Sequence, residues 1–218
     1  MSGSFIVAID GPAAAGKGTL ARLIADYFGL AYLDTGALYR GVALSLIEAG
    51  LTAPTEAEAA AAALNLDPGL LQSPDLRRED VGNLASVVAA MPAVRAALDS
   101  FQRNFAARPP GGAPGAVVDG RDIGTVICPG APVKLFLTAS VAARAARRFL
   151  ELQAKARPAD LAQITAEIEA RDARDASRAT APLKAAEDAH LMDTSNLSID
   201  EVFARAKTII ETARQTRT

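Results

Sequence analysis

The sequence contains few of the residues on which several common kinds of site depend. Among 218 residues there are one cysteine, one histidine and no tryptophan. A single cysteine, Cys128, excludes a disulfide within the chain, which is typical of proteins in a reducing cytosol. It lies beside Pro129, and we expect it to be a small buried residue rather than a nucleophile. Any histidine base would have to be His190, to which we assign no role.

Long apolar runs and a strong charge of one sign are absent as well. No apolar stretch reaches membrane-spanning length, and the N-terminal MSGSF lacks the charged and long apolar regions of a signal peptide. The net charge of -2 gives no reason to expect binding to nucleic acid or to a membrane surface. With 50% hydrophobic and 22% charged residues, the composition predicts an ordinary globular protein. We expect a cytoplasmic protein with neither nucleic-acid nor membrane partners.

Residues 5–22, FIVAIDGPAAAGKGTLAR, contain the clearest functional signal. An apolar run typical of a strand leads into a loop of small residues, and a helical pattern follows. The loop fits G-x-x-x-x-G-K, the phosphate-binding loop of nucleoside triphosphate enzymes, rather than an ordinary Gly/Ala-rich turn. Glycines let the backbone fold around an anion, N–H groups and the helix N-terminus point at the phosphates, and lysine adds a mobile positive charge. The predicted phosphate-binding residues are Gly11, Pro12, Ala13, Ala14, Ala15, Gly16, Lys17, Gly18 and Thr19.

The pattern around this loop predicts an α/β fold. Strand, loop, helix, strand and helix follow one another up to Gly50, which indicates a parallel sheet with helices on both faces. We interpret an Ala-rich, mostly helical stretch at about residues 51–112 as an insert. Strand patterns then return near residues 116–118, 133–137 and 190–192. Helices are predicted, among others, over residues 56–64, 92–107 and 161–177. The whole chain, 1–218, is predicted to be one domain with a core of residues 1–50 and 113–218.

Two further stretches place polar residues at predicted strand ends. In DTGALYR, Arg40 follows Thr35 by five positions, so both are expected to reach one crevice, while Asp34 is equally well read as a helix N-cap. In VDGRDIGT, Asp119 ends an apolar strand, which is where metal-binding acids of phosphate-loop enzymes usually lie. Because sites form at the carboxyl ends of parallel strands, both stretches are candidates for one site.

A third stretch, RDARDASR, places charged residues at spacings of three, four and seven, and therefore on one helix face. On that face lie Arg171, Arg174, Asp175 and Arg178. The alternative is an exposed face held by intrahelical salt bridges, just as Arg40 and Arg121 could be plain surface residues. Because phosphoryl transfer needs several positive charges near the γ-phosphate, we favour a functional role. The residues alone thus predict a phosphotransferase with a donor loop, an acceptor site and an Arg-rich mobile cover, without naming the acceptor.

Together the motifs resemble those of bacterial cytidylate kinases, in order and in approximate spacing. They are GPAAAGKGTLAR, LDTGALYR, DGRDIGTVICPGAPVKLFLTAS, RDARDASRATAPLKAAEDA and MDTSNLSIDEV. In nucleoside monophosphate kinases the loop takes the form GKGT, with the hydroxyl one place after the strict pattern, as here. The resemblance covers nearly the whole chain except about residues 51–76. It implies a five-stranded parallel sheet with an acceptor-binding insert and a helical lid at about residues 150–180. It further implies a cytoplasmic, usually monomeric enzyme that transfers the γ-phosphate of ATP to CMP or dCMP with Mg²⁺.

The resemblance also implies roles for individual residues. The residues expected to hold Mg²⁺ are Thr19 and Asp119. Those expected to bind CMP are Arg40 and Arg121 at the phosphate, Ser86, Arg171 and Asp175 near the ribose, and Thr35, Arg95, Asp122 and Arg178 around the cytosine. Those expected to offset charge during catalysis are Lys17, Arg121, Arg171, Arg174 and Arg178.

The chemistry of cytosine supports the expected base-binding set. Cytosine presents an amino donor at C4 and acceptors at N3 and O2. The carboxylate of Asp122 suits the donor, and the guanidinium groups of Arg95 and Arg178 suit the acceptors. Two alternatives stay open. One is a kinase for another small acceptor such as UMP, AMP or shikimate. The other is a nucleotide-dependent switch without enzyme activity, although the chain lacks the guanine-reading N-K-x-D motif.

The sequence departs from the family pattern mainly in the insert. Much of the family has a small antiparallel sheet there, and residues 65–78 are too short and too rich in turns to supply its strands. Matching resumes at about residue 76, with Ser86 and Arg95 present. We therefore predict a shortened, mostly helical insert that keeps its acceptor-binding residues. Thr35 stands where the family often has serine, which keeps the hydroxyl and adds a methyl group.

Overall fold

A parallel sheet forms the centre of the molecule. The computed structural model describes residues 4–154 and 156–216, and within them five strands pair in parallel in the order β2-β3-β1-β4-β5. The strands are β1 (Phe5–Asp10), β2 (Ala31–Asp34), β3 (Gly115–Gly120), β4 (Val133–Thr138) and β5 (His190–Asp193). The predicted five-stranded parallel sheet is confirmed.

Eight α-helices lie in the described part of the chain. They are α1 (Lys17–Phe28), α2 (Thr35–Glu48), α3 (Glu56–Leu64), α4 (Glu79–Val88), α5 (Pro92–Ala107), α6 (Val141–Ala154), α7 (Leu161–Ser177) and α8 (Ile199–Gln215). Capping residues in the sequence determine where several of these helices begin or end. Gly29 ends α1 at a φ of 64°, a left-handed conformation that glycine adopts without strain. The Asp34 side chain caps α2 by accepting from the Ala37 N–H at 3.1 Å.

Apolar residues cover both faces of the sheet. On one face, Ile9 and Leu135 of the sheet pack with Leu20 and Ile24 of α1 and with Ile210 of α8, and each is at most 1% exposed. On the other face, the strands pack against α5 and the turn that follows β3. Burial of this apolar surface is the main stabilising contribution to the fold. Since both faces are covered, the carboxyl ends of the strands are the place for a polar site.

The insert is mostly helical, as predicted. Residues 51–112 contain α3, α4 and α5 joined by short 3-10 turns, and none of these fully described residues is in a strand. Its apolar side chains pack against α2 in a second core, in which Val42, Val81 and Val88 are fully buried. This core fixes α4 and α5 beside the carboxyl end of the sheet. The exact boundaries of the insert stay a prediction.

Helices α6 and α7 form a hairpin on the other side of the strand ends. A small apolar cluster of Ala145, Ile164 and Ile168 joins the two helices. This cluster is separate from the three larger apolar clusters, and polar pairs such as Arg121–Asp175 connect α7 to the strand ends. The predicted lid, at about residues 150–180, falls on the end of α6 and on α7.

Within residues 4–154 and 156–216, no single helix has both the length and the apolar character needed to span a membrane. One pair of helical segments meets that test jointly, by length and composition only: Glu79–Val88 with Pro92–Gly112, bent by 97° at the break between them.

Candidate active site

The predicted phosphate-binding loop lies between β1 and α1, at the carboxyl end of the central strand. Gly11 has a φ of 147°, and a Cβ at this position would lie 2.2 Å from the Leu137 carbonyl oxygen, so only glycine fits. Gly16 has a φ of 90° and precedes α1 directly. Ala14 has a φ of 59°, a left-handed conformation that is strained for alanine. The backbone of this loop therefore has the sharp turns that the phosphate-binding motif requires.

Lys17 lies in the first turn of α1 and is 8% exposed. Its ammonium group donates to the Pro12 carbonyl at 2.9 Å. Burial, and then the positive charge of Arg121, lower the pKa of Lys17 to about 7. An anion close to this ammonium group would favour its charged form and raise its pKa.

Two acids end neighbouring strands beside Lys17. Asp34 of β2 and Asp119 of β3 pair in register, and the Tyr32 hydroxyl donates to Asp119 at 3.4 Å. Burial, and then the charge of Asp34, raise the pKa of Asp119 to about 7. In residues 4–154 and 156–216, no group of three or more His, Cys, Asp or Glu side chains could hold a metal ion. Asp34 and Asp119 both line the larger cavity, and the Mg²⁺ role of Asp119 stays a prediction.

A cavity of about 710 Å³ separates the loop, the insert and the α6–α7 hairpin. Its volume falls within the range of about 300–1,000 Å³ that is usual for small-molecule sites. Predicted site residues on its wall are Ala13, Ala14, Lys17, Arg40, Asp119, Arg121 and Arg171. The phosphate loop therefore opens onto a cleft of nucleotide size.

A smaller cavity, of about 50 Å³, adjoins this cleft and shares Arg40, Arg121 and Arg171 with it. All nine residues predicted to bind CMP line it: Thr35, Arg40, Ser86, Arg95, Arg121, Asp122, Arg171, Asp175 and Arg178. They come from α2, α4, α5, α7 and the turn after β3. Because the volume is far below that of a ligand site, its ion pairs must separate before a nucleoside can enter.

One of these ion pairs joins Arg95 to Asp122, both of which are buried. Arg95 also donates to the Ala89 carbonyl at 3.4 Å and lies over the Tyr39 ring, 5.9 Å from its centroid. Burial raises the pKa of Asp122 above its ordinary value even though Arg95 opposes this. Tyr39 is a wall residue that the sequence analysis missed, since its only signal is its place directly before Arg40.

A second cluster of charges surrounds Asp175, which is 1% exposed. It accepts from Arg121 at 2.9 Å and from Arg178. Burial alone would raise the pKa of Asp175, but the two guanidinium charges bring it below the ordinary value. The Ser86 hydroxyl and the Nε atoms of Arg171 and Arg178 are buried without a hydrogen-bond partner in the described chain. Buried donors without partners are uncommon and are expected where a ligand binds.

Seven predicted site residues line neither cavity: Gly11, Pro12, Ala15, Gly16, Gly18, Thr19 and Arg174. Two of them are exposed. Thr19 is exposed on α1, and Arg174 is exposed on α7. A helix turns about 100° per residue, so Thr19 points away when Lys17 and Leu20 face inward. On α7 the buried Asp175 lies on the face that points into the protein, whereas Arg174 lies on the face exposed to solvent. The Mg²⁺ role of Thr19 and the catalytic role of Arg174 stay predictions that this geometry does not favour.

Comparison with known proteins agrees with the geometry. The family model for cytidylate kinase matches residues 7–214. The curated cytidylate kinase of Rhodopseudomonas palustris strain BisB18 is 54% identical over 212 residues, which are 97% of this chain and 98% of that protein. The chain belongs to the cytidylate kinase family. The curated family member from Granulibacter bethesdensis is 55% identical over 205 residues, covering 94% of this chain and 96% of that protein.

A solved structure of an uncharacterized protein from Eubacterium ventriosum ATCC 27560 has the same fold as this cytidylate kinase family member. The TM-score is 0.54 at 12% identity, with 95% of this chain and 99% of that chain covered. At so low an identity the likeness shows the fold alone.

In this member of the cytidylate kinase family, Asp10 is a positioning residue that the sequence analysis missed. It is 4% exposed and accepts from the backbone N–H groups of Ile123 at 2.8 Å and Gly124 at 2.7 Å. These bonds hold the turn that carries Arg121 and Asp122. Burial raises the pKa of Asp10 to about 6. The available signal was an acid at the end of an apolar strand, the same signal that singled out Asp119.

Proposed function

We propose that this chain transfers the γ-phosphate of ATP to CMP or dCMP and releases ADP with CDP or dCDP. The observation that carries the proposal is the convergence of all nine predicted acceptor-binding residues on one cavity. That cavity shares Arg40, Arg121 and Arg171 with the cleft beside the phosphate loop. Donor and acceptor phosphates would therefore meet at these three arginines. Membership in the cytidylate kinase family supports the same reaction.

Recognition of the base rests on the buried Arg95–Asp122 pair. When the pair separates, the Asp122 carboxylate can accept from the C4 amino group of cytosine, and Arg95 and Arg178 can donate to O2 and N3. Uracil would place a carbonyl oxygen against Asp122 and leave the buried carboxylate without a donor. Such a mismatch in a closed site rejects an analogue strongly.

Phosphoryl transfer needs no strong base here, because the attacking oxygen of the acceptor phosphate is already anionic. Arg40 and Arg121 would hold that phosphate in line with the donor, and their position on the walls of both cavities supports this role. Lys17, Arg121 and Arg171 offset the negative charge that spreads over the transferring group. Catalysis in this proposal rests on position and charge.

Mg²⁺ bound with ATP would neutralise part of the negative charge of the phosphates. Asp119 fits that role by chemistry and place, because it is an acid on the cavity wall beside Lys17. Its raised pKa means that a nearby cation would shift it to the ionised form.

Insert and hairpin are proposed to close over the reactants. They line opposite sides of the larger cavity, and Arg77 of the insert already lies 3.8 Å from Glu151 of α6. Closure would exclude water, which otherwise competes as the acceptor. The cytoplasmic location and the monomeric state stay predictions.

The proposed function is tested by ADP release with ATP, Mg²⁺ and each of CMP, dCMP, UMP, AMP and GMP. Strong turnover with CMP and dCMP, and little with the others, is the expected result. Activity mainly with another acceptor would keep the phosphotransferase but overturn the base-binding assignment. Absence of turnover with all five would contradict the proposal and favour a nucleotide-binding switch.

The lowered pKa of Lys17 predicts proton uptake when phosphates bind. At pH 8 this lysine, with a pKa of about 7, is largely neutral in the free protein, and an anion at the loop raises its pKa. Calorimetric titration of metal-free ATP in buffers of different ionisation enthalpy is expected to show net proton uptake at pH 8. The uptake should diminish at pH 6, where Lys17 is already charged, and should be reduced at pH 8 in Lys17→Met. Equal uptake in the variant would assign it to other groups.

A further inference from the structure

The carbonyl groups of the phosphate loop are held from outside by side chains distant in sequence. Arg144 of α6 donates to the Ala13 carbonyl at 3.3 Å. The hydroxyl of Thr194, just after β5, lies 3.2 Å from the Ala15 carbonyl and 3.1 Å from the Thr138 carbonyl, so it bridges the phosphate loop and β4. Arg144 and Thr194 are each 3% exposed, so these contacts are shielded from water. Neither residue was assigned a role above.

The direction of these carbonyls determines the direction of the N–H groups that follow them. In a trans peptide the C=O of one residue and the N–H of the next point in opposite directions. Holding the Ala13 carbonyl therefore sets the Ala14 N–H, and holding the Ala15 carbonyl sets the Gly16 N–H. Ala14, between them, has a strained positive φ of 59°, which a free loop would tend to relax.

Each of the two holding side chains is itself fixed. Arg144 donates to the Ala139 carbonyl at 3.0 Å and makes a bidentate pair with Asp172 of α7, at 2.9 Å and 2.5 Å. Thr194 receives a hydrogen bond from Arg147 at 3.1 Å, and its backbone N–H donates to the Thr138 carbonyl. The guanidinium of Arg144 thus bonds to the phosphate loop and the hairpin at the same time.

We propose that Arg144 and Thr194 are positioning residues for the phosphate loop, and that the Arg144–Asp172 pair ties loop geometry to the position of α7. They orient the Ala14 and Gly16 N–H groups toward the donor phosphates without touching the acceptor site. The same helix α7 carries Arg171 and Asp175 of the acceptor cavity, one residue before and three residues after Asp172. Movement of α7 would therefore change the geometry of the donor loop and of the acceptor site at the same time. The kinetic consequences of this positioning role rest on the proposed function, whereas the phosphate-binding test does not.

The Asp172→Asn variant distinguishes positioning from simple electrostatics, because the two explanations predict opposite changes in affinity for phosphates. Removal of a negative charge near the loop favours anion binding by Coulomb's law alone. If Asp172 acts by fixing Arg144, the variant instead binds phosphates more weakly. We expect the Kd of inorganic tripolyphosphate, measured by calorimetry, to rise by about five- to tenfold, the loss of one good hydrogen bond. An unchanged or lower Kd would overturn the role of the pair.

The Arg144→Lys variant separates geometry from charge at the same contact. Lysine keeps the positive charge but cannot bond to Ala13, Ala139 and Asp172 in the fork geometry of arginine. A rise in the tripolyphosphate Kd similar to that of Asp172→Asn is expected. Full affinity in this variant would show that Arg144 acts only through its charge. Tripolyphosphate carries no base, so this titration measures phosphate binding alone.

The Thr194→Val variant tests the second contact without altering any charge. Valine keeps the shape and removes the hydroxyl that faces Ala15, so we expect about a fivefold rise in the tripolyphosphate Kd. Thr194→Ser keeps the hydroxyl and should bind as the parent protein does. Thr208→Val is the matched control, because the Thr208 hydroxyl bonds only within α8, to Ala204. Thermal unfolding of each variant identifies a general loss of fold.

The KM values for ATP and CMP give a further test, because a general loss of structure would change both of them. With Thr194→Val, the KM for ATP should rise while the KM for CMP stays within about twofold of the parent value, since the lost contact is on the donor loop. Equal changes in both KM values would contradict the proposal. If the protein proves not to phosphorylate CMP, the tripolyphosphate titrations still decide the positioning role.

Discussion

Replacement of Lys17 with methionine is expected to lower kcat with ATP and CMP by about a thousandfold, equivalent to about 4 kcal/mol of transition-state stabilisation. Methionine retains an apolar side chain in this buried position but removes the charge that faces the donor phosphates. The neighbouring Arg121 and Arg171 cannot replace it, because they also hold the acceptor side of the cleft. Steady-state kinetics with saturating ATP and CMP measure the effect.

The matched control is Lys207→Met on α8, where a half-buried lysine pairs with Glu211 at 3.8 Å and lines neither cavity. It should leave kcat unchanged. Because Lys17 is buried beside Arg121, loss of its charge also removes a repulsion, so the thermal midpoint of Lys17→Met should not fall. Near-normal turnover in a folded Lys17→Met protein would refute the assignment of the phosphate loop.

Replacement of Asp122 with asparagine is expected to reduce discrimination between CMP and UMP by about a thousandfold. The asparagine amide can turn its NH₂ group toward the C4 carbonyl of uracil, whereas the carboxylate can only accept. Most of the change should appear as a loss of kcat/KM with CMP, and a smaller part as a gain with UMP. The ratio of the two kcat/KM values is the measurement.

Asparagine also keeps an oxygen that can accept from Arg95, so the fold should survive the change. Without any acceptor the buried guanidinium would be left unpaired, at a cost of about 3–5 kcal/mol. The control is Asp99→Asn, which removes an acid from the surface pair with Arg103 on the same helix as Arg95. If Asp122→Asn retains the parent preference for CMP, the base is read by other residues, and Thr35 and Ser86 are the next candidates on the cavity wall.

The ion pairs on the wall of the small acceptor cavity provide a basis for such selectivity. In this state Arg95 pairs with Asp122, and Arg121 and Arg178 pair with Asp175. A base enters only by replacing these protein partners with its own donors and acceptors. An acceptor that fails to replace one of them leaves a buried charge unpaired, which is far more costly than the loss of one contact in water.

The sequence by itself determined the local features of this protein. The helices predicted over residues 56–64, 92–107 and 161–177 match α3, α5 and α7, because caps, prolines and a 3.6-residue periodicity are encoded within each segment. The phosphate loop was equally visible, since its glycines, lysine and following helix are contiguous. The acceptor residues came from the resemblance to cytidylate kinases, and the structure brings all nine to the wall of one cavity.

Only the tertiary structure decided which of these side chains meet. Asp10 and its partner Gly124 are 114 positions apart, and Arg144 and Ala13 are 131 positions apart. Helical periodicity placed Arg174 beside Arg171 and Asp175 on one face but could not say which part of that face is buried. The packing of α7 against the insert and α6 decides this, and it leaves Arg174 in solvent. Burial and charge pairing depend on contacts between distant segments, and no single segment encodes them.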